Sequence, residues 1–390
     1  MVTLPIFING RFYGKKITGT ERFAREIVAA LDALLCERNS DANVTILAPQ
    51  GTVKPDGVSR IGFANVGCLH GHAWEQWDLA RAARHGVLLN FCNSGPVFHP
   101  RQLVVVHDAA VYRIPGNYGR LYGLFHRALG RFLAQRAMLT SVSNFSRKEL
   151  AAIWGVEESA VSILPNGHEH ILRHRPEPEI LGRLGLRKRP YFFFVGSPVP
   201  NKNLNRAIAA FTELRRPDTA FVIVGATAGK VFAGNRFEAT ENVMMTGRLT
   251  DGEIVALYRN AAALVFPSLY EGFGIPPLEA MALGCPVVAS RIPPVVEVCG
   301  DAALYFNPLD TADMAARMKE IIASPELRAE LKRKGDLRTR LFLWRDSAGK
   351  LLEEIEKNTR FKFKPENPHP ESGAGSIWRA ERRRSRGDCR

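Results

Sequence analysis

The chain has 390 residues, more than one hydrophobic core usually organises, so two domains are expected. Its 46% hydrophobic and 24% charged residues describe an ordinary globular protein, and no apolar run approaches the roughly 18 to 20 residues that would span a bilayer. A formal net charge of +14 points to an anionic partner (nucleotide phosphates, lipid phosphates, a membrane surface or nucleic acid), with plain solubility as the simpler explanation.

The opening MVTLPIFINGRFYG lacks a basic stretch followed by a long apolar one, so no signal segment is expected. A helical pattern over 20–35 comes next, then strands at 43–48 (NVTILA), 103–106 (LVVV) and 139–142 (LTSV), and a helix at 146–154. Over 164–180 turn residues and charge replace the apolar periodicity. A second series then runs strand 191–195, helix 203–215, strand 220–224, helix 251–261, strand 263–266, helix 276–283, strand 286–289 and helix 311–322. Continuous apolar strands separated by helices predict an α/β protein with parallel, doubly wound sheets, whose ligands sit beyond the carboxyl ends of the strands. The expected division is a first domain over 1–167, a second over 168–345, an amphipathic helix over 346–357 capped by Asp346 that crosses back to the first domain, and a disordered basic tail over 358–390. Six scattered cysteines without a C-x-x-C pair argue against a disulfide scaffold or a zinc site and fit a cytoplasmic protein.

The chemistry is concentrated in 264–290, LVFPSLYEGFGIPPLEAMALGCPVVAS. A strand ends at Phe266, a glycine-containing loop follows, and Pro276 and Pro277 fall where the first turn of a helix tolerates proline. Gly272 and Gly274 then let backbone N–H groups approach a diphosphate at a helix N-terminus. Glu271 and Glu279 bring two carboxylates beside that cradle, and carboxylates accept strong hydrogen bonds from sugar and ribose hydroxyls. As isolated residues both would read as surface acids; the surrounding strand, loop and helix make the binding role the better reading. GATAGK (225–230) has one residue too few between its glycines for a Walker loop and is read as a strand-ending turn.

The run P-S-x-x-E-G-F-G-x-P-x-x-E-A-M-A-x-G-x-P-V-V-A-S at 267–290 resembles the donor-binding signature of retaining glycosyltransferases of family 4, which have the GT-B fold of two facing Rossmann-like domains. The resemblance implies that Glu271 meets the donor sugar, Glu279 the ribose, and the backbone of Phe273, Gly274 and Ile275 the diphosphate. VGSPVPNKN (195–203) resembles the family's strand and loop, so that Gly196 and Lys202 would also face donor phosphate; many relatives carry an extra arginine where this chain has Ser197 and Asn201. TGRLTDGE (246–253) resembles the segment lining the nucleobase pocket, and Thr250 with Glu253 reads as a capping box. ITGTERFAREIVAAL (17–31) resembles the first loop and helix, placing Gly19 at the diphosphate and Arg22 on the acceptor side. His107 and Asp108, after strand 103–106, resemble the active-site pair of the first domain, with Asp108 on the acceptor side. His107, Glu271 and Lys202 are therefore the expected catalytic set.

No D-x-D triplet occurs, so the resemblance is to a metal-independent enzyme without a cofactor, in which Lys202 and helix N-termini balance the leaving diphosphate. The same resemblance implies retention of anomeric configuration by front-face attack, and suggests a mannosyltransferase of surface polysaccharide synthesis, with GDP-mannose ahead of a UDP-hexose as donor. Segment 113–136 holds five arginines and no acid, interleaved with Tyr118, Tyr122, Phe125 and Phe132. It suits contact with an anionic membrane on its cytoplasmic face and a glycan or polyprenyl-diphosphate-linked acceptor, unless its aromatics face the core; no nucleic-acid motif accompanies it. The competing functions are a nucleotide-sugar epimerase of the same architecture and an inactive nucleotide-sugar-binding scaffold.

Overall fold

The computed structural model describes residues 4–225 and 242–359. A seven-stranded sheet takes in β1 (Ile6–Asn9), β2 (Val44–Ala48), β3 (Gly62–Asn65), β4 (Val87–Asn90), β5 (Gln102–Val105), β6 (Met138–Ser141) and β7 (Val161–Ile163), in the order β3-β2-β1-β4-β5-β6-β7. A six-stranded sheet takes in β8 (Tyr191–Val195), β9 (Ala220–Val224), β10 (Val243–Gly247), β11 (Ala263–Phe266), β12 (Val287–Ser290) and β13 (Ala303–Phe306), in the order β10-β9-β8-β11-β12-β13. Every pairing is parallel. Helices cover both faces, which is why central strands such as β8 (YFFFV) are apolar at every position: Phe192 and Phe194 join one buried layer, Tyr191 and Phe193 the other.

Strand order reverses between β1 and β4 in the first sheet and between β8 and β11 in the second. A crevice opens at each reversal, beyond the carboxyl ends of those strands. Residues 196–203 and 267–274 flank the second crevice, and the turns after Asn9 and Asn90 flank the first.

Seven helices matter for the site: α1 (Gly19–Glu37), α2 (Arg120–Ala134), α3 (Asn144–Trp154), α4 (Asp251–Asn260), α5 (Ile275–Ala282), α6 (Pro293–Cys299) and α7 (Trp344–Thr359). The Thr250 capping box is present: Thr250 Oγ accepts from Glu253 N (3.1 Å), and Glu253 Oε2 from Thr250 N (2.9 Å). The last helix starts at Trp344, two residues before the expected cap Asp346, because a distant carboxylate does the capping. Glu169 receives the Trp344 N–H (2.8 Å to Oε1), and Ser347 Oγ donates to Pro165 O (2.6 Å). α7 packs along α1, burying Trp344, Ala348, Leu351, Leu352 and Ile355 with Phe23, Ile27 and Leu31. The chain thus returns to the layer covering the first sheet after completing the second.

Among the described residues no helix is long and apolar enough to cross a membrane. Residues 226–230 of GATAGK and the basic stretch from residue 360 lie outside the described residues.

Leu351→Ala empties a fully buried position between α7 and α1. It should cost about 2–5 kcal/mol, read as a lower urea midpoint in equilibrium unfolding.

Candidate active site

The second crevice is built by three local devices. After β8 the chain turns through a 3-10 segment, Pro200–Lys202, and Asn203 adopts a left-handed conformation (φ 54°) that its side chain secures by donating to Pro267 O (3.1 Å) and Pro308 O (2.8 Å). After β11, Gly274 at φ 126° makes the turn into α5, a conformation that disfavours any side chain. Phe273 is buried against Phe342 (ring centroids 5.6 Å apart), so that residue offers the crevice only its backbone. Because Pro276 and Pro277 lack N–H groups, the free amides at this helix start are those of Phe273, Gly274 and Ile275.

Lys202 Nζ lies 2.6 Å from Glu271 Oε1, both side chains largely buried. Two residues expected to meet different parts of a donor therefore neutralise each other across the crevice mouth. Gly196 begins the same turn, with its N–H on Val224 O (3.1 Å).

Glu279 is held by partners that the local sequence does not announce. His170 Nε2 is 2.8 Å from Oε1, Tyr258 Oη donates to Oε2 (3.1 Å), and Trp344 Nε1 donates to His170 Nδ1 (3.1 Å). An indole N–H only donates, so Nδ1 must accept, the proton sits on Nε2, and His170 is a neutral donor to the carboxylate. Burial, with Glu279 beside it, raises the Tyr258 pKa well above its usual range, so its hydroxyl also remains a donor. Each Glu279 oxygen keeps a second lone pair for a ligand hydroxyl.

At the first sheet, His107 follows β5 with its Nε2 on Phe91 O (2.8 Å) and its ring edge-on to Phe23 (4.9 Å). A carbonyl only accepts, which puts the proton on Nε2 and leaves Nδ1 as an acceptor. Burial lowers the pKa to about 4, outweighing the Phe91 bond and the Glu21 charge. His107 at neutral pH is therefore uncharged, and its Nδ1 offers a hydrogen-bond acceptor rather than a positive charge. Asp108 turns back to accept from Ala110 N (2.8 Å), and burial raises its pKa, with Glu271 adding to the rise.

The two halves meet at these loops. A side chain at Gly272 would start 2.2 Å from His107 O, so only glycine fits. Gly272 O accepts from Ser143 Oγ (2.6 Å) and Ser146 Oγ (3.0 Å), Ala109 N donates to Tyr270 Oη (3.1 Å), and Asn117 Nδ2 to Asn201 Oδ1 (2.8 Å). Glu297 on α6 caps α3, accepting from Asn144 N (2.7 Å) and Phe145 N (3.0 Å). Gly19 faces Ile275 closely, a Cβ there lying 3.6 Å from the isoleucine Cδ1. Arg22 bridges to Asp251 on α4 (3.2 Å), which also meets His174 (3.3 Å). The structure thus gathers His107, Asp108, Lys202, Glu271 and Gly272 at one junction, and Glu279 one helical turn away. His170, Tyr258, Trp344, Ser143 and Ser146 come from elements too distant in sequence to be paired with it by pattern.

Two doubly wound parallel sheets meeting at such a loop have the architecture of GT-B glycosyltransferase structures. Residues 177–338 match the family model described as glycosyl transferases group 1, and the chain carries that domain. It is 26% identical over 340 residues to the O-antigen chain mannosyltransferase RfbU of Salmonella typhimurium, covering 82% of this chain and 92% of the relative. HepE of Anabaena, solved with UDP and glucose, superposes with a TM-score of 0.70 at 15% identity, over 90% of this chain and 99% of that one. WaaG, a glycosyltransferase involved in lipopolysaccharide biosynthesis, gives 0.67 at 17%, over 89% and 98%.

The His107 pKa makes a pH prediction. Between its folded value of about 4 and the ordinary 6.5, the unfolded chain binds a proton that the folded chain does not, so stability rises with pH through that window. The loss on acidification is about 3 kcal/mol. His107→Gln, which retains an N–H for Phe91 O, should flatten urea-unfolding free energies across the window; an unaltered slope would show that His107 titrates normally.

Proposed function

We propose that the chain transfers a hexose, mannose from GDP-mannose, with retention of configuration, to a glycan or polyprenyl-diphosphate-linked acceptor in surface polysaccharide synthesis. The observation that carries this reading is the Lys202–Glu271 pair at the second crevice, docked through Gly272 on the strand end that presents His107. RfbU, named as an O-antigen chain mannosyltransferase, supports mannose; the UDP in the HepE complex keeps a UDP-hexose as the alternative donor.

On this reading the donor diphosphate draws Lys202 away from Glu271, and the released carboxylate accepts hydroxyls of the sugar. Lys202 and the amides of residues 273–275 receive the charge that develops on the leaving diphosphate. Glu279 takes the ribose, and the neutral His107 Nδ1 accepts a sugar hydroxyl at the reaction centre. The leaving phosphate takes the acceptor proton. No divalent cation is needed: the chain has no D-x-D triplet, and Lys202 stands where charge must be balanced.

A thermal-shift panel of GDP, UDP, ADP and dTDP, each with and without EDTA, tests the donor. The cognate nucleotide at about a hundred times its Kd should stabilise the fold by about 2.7 kcal/mol, with or without chelator. Stabilisation abolished by EDTA would overturn metal independence, and no stabilisation by any of the four would overturn the donor site. Glu271→Ala should lower kcat by about 10²–10³, the scale of losing one preorganised polar group, while leaving the melting temperature of the free protein within a few degrees. Normal turnover in that variant would remove Glu271 from the mechanism.

Peripheral contact with an anionic membrane also belongs to this reading. On α2, Leu121 (84% exposed), Leu124, Phe125 and Phe132 form an outward apolar stripe at helical spacing, with Arg120, Arg127 and Arg131 on the same helix and no acid. The aromatics here do not all turn to the core, and an apolar stripe beside arginines matches a surface of anionic lipid headgroups. The protein should co-sediment with phosphatidylglycerol vesicles and not with phosphatidylcholine vesicles, and Leu121→Glu with Leu124→Glu should abolish binding. Undiminished sedimentation of the double variant would rule this face out.

A further inference from the structure

Apart from the donor crevice, the first sheet carries a cavity of about 1120 Å³ beyond the carboxyl ends of β1, β2 and β3. The turn after β1 contributes Arg11, Tyr13 and Lys15, the loop after β2 contributes Lys54, the turn after β3 contributes His72, and α1 contributes Arg25. Its charges are not all balanced. Arg11 is paired with the fully buried Glu75 (3.0 Å), which also accepts from Asn9 Nδ2 (3.2 Å) and Ser94 Oγ (3.0 Å). Arg173 is paired with Glu26. Among the described residues Lys15, Arg25 and Lys54 make no ion pair, and Asp56 is the only other acid of the lining. Arg25 gives one N–H to Tyr13 O (3.0 Å) and rests 4.9 Å over that ring, but its Nε is buried without a partner. A buried donor left unpaired is costly, and three cations against one acid make the cavity an anion receptor.

The cavity is joined to the reaction centre by an aromatic path. His72 lies at its wall, 5.3 Å from the His126 ring; His126 is 4.2 Å from Tyr122, and Tyr122 stacks on Tyr118 at 5.6 Å with 10° between the planes. Tyr118 follows Asn117, whose Nδ2 donates to Asn201 Oδ1 (2.8 Å), so this end of the path lies at the contact between the two halves, where Asn201 is next in sequence to Lys202. Such rings offer flat apolar faces to pyranose rings and hydroxyls to their edges.

Resting on the transferase reading above, we infer that the acceptor carries a phosphate or diphosphate group, held by Lys15, Arg25 and Lys54 in this cavity, while its sugar lies along the Tyr118–Tyr122 path. Phosphate fits better than carboxylate because three cationic side chains without ion pairs line one cavity, where a carboxylate would bring a single charge and the several oxygens of a phosphate can receive more than one N–H group. A volume of about 1120 Å³ leaves room for the group that the phosphate bears.

The test is calorimetric titration of the full chain with inorganic pyrophosphate, the donor crevice first saturated with whichever nucleoside diphosphate stabilises the protein. Methyl glucuronoside serves as the carboxylate arm. Pyrophosphate should bind saturably, and Lys15→Ala with Lys54→Ala, both exposed, should weaken it at least tenfold while the nucleotide thermal shift is unchanged. Absent pyrophosphate binding, equal binding by the double variant, or preference for the glucuronoside would each overturn the phosphate assignment and leave the transferase reading intact. Failure of every nucleoside diphosphate to bind would overturn the transferase reading, and this inference with it.

Discussion

The carbonyl of Gly272 accepts hydroxyls from Ser143 and Ser146, and its α-carbon rests on the carbonyl of His107. That contact fixes how the two sheets face each other. The strand-order reversals create one crevice per sheet, and Gly272 meets the end of β5 where the two halves touch. Glycine is required because any side chain would begin inside a backbone atom. Tyr270, Asn201 and Glu297 reinforce the same closure from three other points, each through a hydrogen bond between the halves. Gly272 thus serves both the crevice and the contact between the halves.

The site's carboxylates are managed in two ways. Glu271 is matched by an oppositely charged partner, Lys202, on a long flexible stem. Glu279 is held by neutral donors, His170 and Tyr258, which fix its orientation without cancelling its charge. The first arrangement cancels the carboxylate's charge, and the second leaves it in place on a fixed group. His107 follows the second pattern, since burial and the Phe91 carbonyl commit it to one neutral tautomer.

The parallel α/β architecture was legible because β8, β9 and β11 are apolar at every position and lie between helices of clear period. Strands β1, β4 and β7 were not read from the sequence, although β1 and β4 are as long as β11, four residues each. Edge strands β3 and β10 are only partly buried, so their composition carries less apolar signal. In the site, Glu271, Gly272 and Gly274 were readable because their chemistry is packed into one loop. The partners of Glu279 were not, because His170 is 109 residues away and Trp344 joins only through tertiary packing. Asp346 was misread as a cap for a related reason: the carboxylate that caps α7 is Glu169, supplied from a remote segment rather than by the residues before the helix.

The line from Trp344 through His170 to Glu279 also has a meaning in time. All six strands of the second sheet have been synthesised before Trp344 is made, yet the tautomer of His170 is set only when that indole docks. α7 in turn can settle only on α1, the first helix to be synthesised. A nascent chain therefore carries an unfinished setting for Glu279 until its two ends have met, and the second crevice is completed only when the polypeptide closes on itself.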